Sequence, residues 1–146
     1  MKSSFIWMLR TSAVLWVVWG LVHTLAGLMT MAQETPAAFA AIADAVATQA
    51  LALDYHAAVG GVVNQHGWNL AWFGIVTIIG AVFIWRGNRT SILVTAMVGG
   101  MADLGYFIFL DIPGHVNFVP GTIMTLISSV AIFLSLRVWL SQERKA

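Results

Sequence analysis

The sequence predicts an all-α integral membrane protein: a four-helix bundle with an extra amphipathic helix in its first outer loop. Three observations carry that expectation. The 146 residues are 60% apolar and only 9% charged, with a mean hydropathy of +0.86, whereas a soluble domain carries about a quarter charged residues. Four apolar stretches, about 5–29, 67–86, 91–110 and 118–140, reach the roughly 20 residues a helix needs to cross the hydrocarbon core. All seven Lys and Arg residues fall on one side of the resulting four-span chain. No set of spans separates from the others, so 1–146 reads as a single membrane domain.

The first span carries Trp16, Trp19 and His23. A secretory signal with cleavage after Ala32 competes for this segment, but its apolar run exceeds the roughly 7–15 residues of a signal core, and it is kept as a span. Between spans one and two lies a stretch too long for a turn. Phe39, Ile42, Val46, Ala50 and Leu53 recur there at helical spacing, with Asp44, Thr48 and Gln49 elsewhere on the wheel. This predicts a surface helix over about 36–53, with Thr35 as N-cap, Pro36 in the first turn and Asp44 on a solvated face. Gly60 and Gly61 read as a flexible joint before span two. Arg86 and Arg89 occupy the short turn to span three, and Asn117 reads as a cap for span four.

Orientation follows from charge. Lys2, Arg10, Arg86, Arg89, Arg137, Arg144 and Lys145 share one side, and Glu34, Asp44, Asp54 and Asp111 face the other. The positive-inside rule then makes both termini cytoplasmic in an inner membrane, with the long first loop periplasmic. The net charge of +1 points to no nucleic-acid partner, and the absence of cysteine removes thiolate ligands, disulfides and cysteine nucleophiles.

The rare polar residues cluster toward the side without basic residues. Asp103 is the only acid inside a span, and His23 the only histidine deep in one. An intramembrane Asp costs about 2.5–3.5 kcal/mol on insertion scales, so it is expected to face a partner or a cavity and to be functional by default. At about 1.5 Å per residue, His23, Asp103 and Thr125 fall at similar depth, with His66 and Asn69 just above. Helical spacing places Trp16, Gly20, His23 and Gly27 on one face, Gly99, Asp103 and Tyr106 on another, and His66, Asn69, Phe73 and Gly80 on a third. A direct His23–Asp103 hydrogen bond would fix the ring tautomer, although such a pair also serves as plain interhelical glue.

Three function classes remain. The first is a redox protein assisted by Zn, Cu, Fe or haem, with His23, His66, Asp103 and His115 as ligands and His23 with Asp103 as reacting groups; no His pair shows the i, i+4 metal spacing. The second is a binding or transport module for a lipid, quinone or small amphiphile, walled by Trp16, Trp19, Asn69, Phe73 and Tyr106, with proton transfer at the His–Asp pair as an enzymatic variant. The third is a structural subunit or homo-oligomer without turnover. Asp111, His115, Asp54 and His56 are second-rank candidates that would cover the pocket.

The plan as a whole has WGLVHTLAGL in the first span, a long helical outer loop, NQHGWNLAWFG opening the second and a short basic inner turn. It resembles small four-helix inner-membrane proteins of bacteria. That resemblance covers most of the chain and implies the architecture alone, since no diagnostic motif or functional residue comes with it.

Overall fold

The computed structural model describes residues 3–143. Lys2, Arg144 and Lys145, three of the residues behind the charge asymmetry, lie outside them. Among the described residues the chain is helical and contains no strand. The long helices are α1 (Ser3–Met31), α4 (Ala57–Trp85), α5 (Arg89–Tyr106) and α6 (Ile123–Glu143), with two short helices, α2 (Thr35–Ile42) and α3 (Thr48–Leu51), between α1 and α4. A single π-helical turn, Phe107–Asp111, extends α5, and a wide turn kinked at Val119, Phe118–Thr122, precedes α6. With those turns included, four helices are long and apolar enough to cross a membrane.

The four helices form a square array in which α1 packs on α4 and α6, and α5 packs on the same two. The α1–α4 seam is the most extensive. It is built from facing glycines: a β-carbon on Gly20 would sit 2.6 Å from the Gly74 carbonyl oxygen, and one on Gly67 would sit 2.9 Å from that of Gly27. For helices that cross a bilayer, where no hydrophobic force drives association, close backbone approach of this kind is what supplies the packing. The remaining seams pair small with large residues: Gly99 of α5 receives the Trp16 ring of α1, and Gly80 of α4 receives Thr95 of α5. The Ser12 hydroxyl donates to the Ala131 carbonyl at 2.8 Å and joins α1 to α6. Leu9, Trp16, Trp19, Ile84, Ile92 and Val138 form the solvent-free centre.

The basic residues mark one end of the array. Arg10 lies over the Trp85 ring at 5.1 Å, joining the start of α1 to the end of α4, and Arg89 lies over Trp139 at 5.2 Å, joining the start of α5 to the end of α6. Such contacts suit an interface where an indole covers a cation.

At the opposite end the structure departs from the sequence expectations. The second long helix begins at Ala57, ten residues before the apolar span starts, because the His56 ring Nδ1 accepts the Ala58 N–H at 3.2 Å and caps it. Gly60 and Gly61 therefore lie inside α4 and form no joint, and Gly60 leaves room for the Thr35 hydroxyl. Glu34, not Thr35, is the N-cap position of α2. The single surface helix over 36–53 is replaced by the eight-residue α2 and the four-residue α3. The break has a tertiary cause. The Ala45 N–H donates to the His115 carbonyl at 3.1 Å instead of to its own helix, and the Asp44 carboxylate accepts the Asn117 N–H at 2.6 Å. Asn117 Nδ2 returns a bond to the Asp44 carbonyl at 3.2 Å. Asp44 is exposed, as expected, but clasps the α5–α6 connection, and Asn117 occupies the N-cap position of Phe118–Thr122 without a side-chain capping bond, its side chain being used on Asp44.

Candidate functional site

Trp19, one turn below His23 on α1, organises the polar centre. Its indole N–H donates to Asp103 Oδ2 on α5 at 2.8 Å. Its backbone carbonyl lies 2.9 Å from His23 Nδ1, and its ring stacks on the imidazole at 3.6 Å with an interplanar angle of 15°. Asp103 is 4% exposed, and its buried carboxyl is met by the Trp19 donor, as a polar group away from water requires. Ser128 of α6 lines the space beside the same carboxyl. Three helices therefore converge on Asp103.

His23 Nε2 faces Asp103 Oδ1 at 3.8 Å, beyond hydrogen-bonding distance. The direct bond expected between them is not made. The ring is oriented from the other side, by the Trp19 carbonyl, which can only accept and so assigns the hydrogen to Nδ1.

The remaining candidates are placed unequally. Trp16 is fully buried, edge-on to Trp19 at 5.7 Å, and both indoles fill the bundle interior instead of walling an open pocket. His66 sits on the first half of α4. Asn69 accepts the Trp72 indole N–H at 3.1 Å within its own helix, and Phe73 packs on the central cluster with its edge to Trp72. Tyr106, one turn beyond Asp103, sets its hydroxyl against Gly121, where only a glycine leaves room. Asp111 Oδ1 accepts the Thr122 hydroxyl at 2.6 Å and ties the two turns together. His115 is exposed in the connection, with its backbone N–H donating to Leu110 and its carbonyl accepting from Ala45. Asp54 and His56 are exposed beside the start of α4. Among the described residues, no three His, Asp or Glu side chains stand together as a metal-holding group; His23, His66, Asp103 and His115 do not converge as a ligand set.

Sequence reasoning missed the way in. A groove of about 320 Å³ runs between α5 and α6 on the outer surface of the bundle, lined by Gly100, Leu104, Phe107, Thr125, Ser128 and Ile132, with Asp103 and Ser129 completing it. Its floor carries the Asp103 carboxyl and the Thr125 and Ser128 hydroxyls, and Ser129 stands exposed at an otherwise apolar rim. Ser128 and Ser129 both donate to the Thr125 carbonyl, at 3.0 and 2.7 Å, whereas the buried Thr125 Oγ1 has no partner. The i, i+3, i+4 hydroxyls of TLISS were the available signal, readable only once the helix facing Asp103 was known.

No family model matches the chain, and neither a curated protein nor a solved structure matches it, so the residue roles rest on the geometry above.

Proposed function

We propose that this protein is an inner-membrane binding module for an amphiphile that enters sideways from the bilayer, its headgroup hydrogen-bonded by Asp103 and its tail lying in the α5–α6 groove. Both termini face the cytoplasm in this reading, and the α2–α3 loop faces the periplasm, following the distribution of Lys and Arg. The observation that carries the proposal is the groove itself: a buried intramembrane carboxyl that already has one donor from Trp19 still borders a space opening on the bundle's apolar outer face. Sites between bundle helices that are mostly apolar with a few convergent polar groups are characteristic ligand sites. A metal- or haem-assisted redox role has less support, because the candidate ligands do not gather and His23 Nε2 points at Asp103.

The test is photo-crosslinking of the protein in nanodiscs with a long-chain alcohol carrying a diazirine beside its hydroxyl. The adducts are expected at Leu104, Phe107 and Ile132, and are expected to disappear in Gly100→Phe, which fills the groove. Adducts spread evenly around all four helices would refute the reading.

A further inference from the structure

Asp103 and His23 face each other as two acceptors without a donor between them. With the hydrogen of His23 on Nδ1, a neutral ring presents a lone pair at Nε2, and that lone pair faces Asp103 Oδ1 at 3.8 Å with no hydrogen between them. The stacked Trp19 ring keeps the imidazole from turning away. On the groove side, Thr125 Oγ1 is a further buried oxygen without a partner. Titratable groups facing the site are His66 from α4, Tyr106 from α5 and, beyond Tyr106, Asp111 and Asp44; α6 contributes only hydroxyls. Every Lys and Arg of the sequence lies at positions 2, 10, 86, 89, 137, 144 or 145, and the described ones flank the far end of the helices. Asp103 therefore has no Lys or Arg beside it, only the titratable His23 ring, and an ionised carboxyl in a low-dielectric setting calls for one cation.

We infer that Asp103 is a single-charge exchange site with two faces: toward His23 it shares a proton with Nε2, and toward the groove it takes the primary ammonium headgroup of a single-chain amine, one excluding the other. This rests on the binding role proposed above and names its ligand class. An ammonium offers three N–H donors, which suits a carboxylate oxygen and the unpartnered Thr125 oxygen together. The exchange balances. The protonated pair and R–NH3+ give the ammonium–carboxylate complex with neutral His23, and one proton leaves to water. No covalent bond to the ligand forms or breaks.

The experiment uses three probes on the full chain in nanodiscs: dodecylamine (charge and donors), dodecyltrimethylammonium (charge without donors) and dodecanol (donor without charge). Saturable dodecylamine binding is expected, with proton release approaching one per amine in weak buffer. Affinity should fall up to about tenfold per pH unit on acidification between about pH 8 and 5, where a primary amine keeps its charge. Dodecyltrimethylammonium and dodecanol are each expected to bind at least about tenfold more weakly. In His23→Gln the amine isotherm should lose its pH dependence, and proton release on the unmodified protein reads the exchange even if that variant does not fold. Groove-localised binding without proton release and without pH dependence overturns the exchange while leaving the binding role standing. Dodecanol binding as tightly as dodecylamine overturns the charge selection in the same way. Failure of all three probes to bind at the groove overturns both.

Discussion

The α1–α4 seam and the α5–α6 seam are built from opposite materials. In the first, Gly20 and Gly27 lie directly on Gly74 and Gly67, and backbone meets backbone with no room for a β-carbon. In the second, Gly100 meets only the tip of Ile132, at 3.0 Å, and the seam widens into a groove with Asp103, Thr125 and Ser128 on its floor. In lipid, where packing replaces hydrophobic burial as the force between helices, the closed seam fixes the bundle. The open seam then carries the polar residues that a stable bundle has no need of. In the proposed reading, structure and function are divided between two faces of one small array.

The comparison breaks most sharply at Gly27. Gly27→Leu places a side chain on the Gly67 carbonyl and Ala71 backbone and is expected to cost about 3 kcal/mol, read as a lowered thermal midpoint in detergent. Gly105→Leu, with nothing within 4 Å, should stay within about 0.5 kcal/mol. Equal losses at the two positions would erase the distinction between closed and open faces. Next in size is Trp19→Phe, which leaves Asp103 Oδ2 without its donor and is expected to cost about 1–3 kcal/mol; Asp103→Asn keeps an acceptor there and should unfold later than Trp19→Phe in the same assay. Asp44→Ala should cost about 1 kcal/mol and speed hydrogen exchange at the Asn117 amide, whereas Asp54→Ala changes neither. Asp103→Ala is still expected to harm binding more than Asp44→Ala, since Asp44 holds a loop and touches no groove residue. The smallest stability change belongs to Gly100→Phe: under about 1 kcal/mol, because the nearest atom is the flexible end of Ile132, yet accompanied by loss of amphiphile binding.

The sequence exposed the parts of this arrangement that rest on rarity and period. A lone Asp and a lone His in apolar spans announce themselves by their insertion cost, and the stripes through Gly20, Gly27 and Gly99 follow from helical geometry. What stayed hidden depends on partners far apart in the chain. Asp44 and Asn117 are 73 positions apart, and a solvated residue and a clasp look alike until both loops are placed. Trp19 reads as an apolar wall, although its indole N–H, carbonyl and ring face each do a different job at Asp103 and His23. The surface helix failed for the same reason: its apolar period is real, but one backbone donor near its middle, Ala45 N–H, and one acceptor, the Asp44 carbonyl, are taken by the opposite loop.

In the proposed function, Asp103 is reached from the bilayer and not from water. Carbodiimides that react with carboxyl groups test it directly, because a lipid-soluble and a membrane-impermeant reagent of the same chemistry approach from different phases. Mass spectrometry of the protein in nanodiscs should show Asp103 modified by the lipid-soluble reagent, slowed in Gly100→Phe, and untouched by the water-soluble one. Modification by the water-soluble reagent alone would place the entrance at the loop end of the bundle and contradict the account.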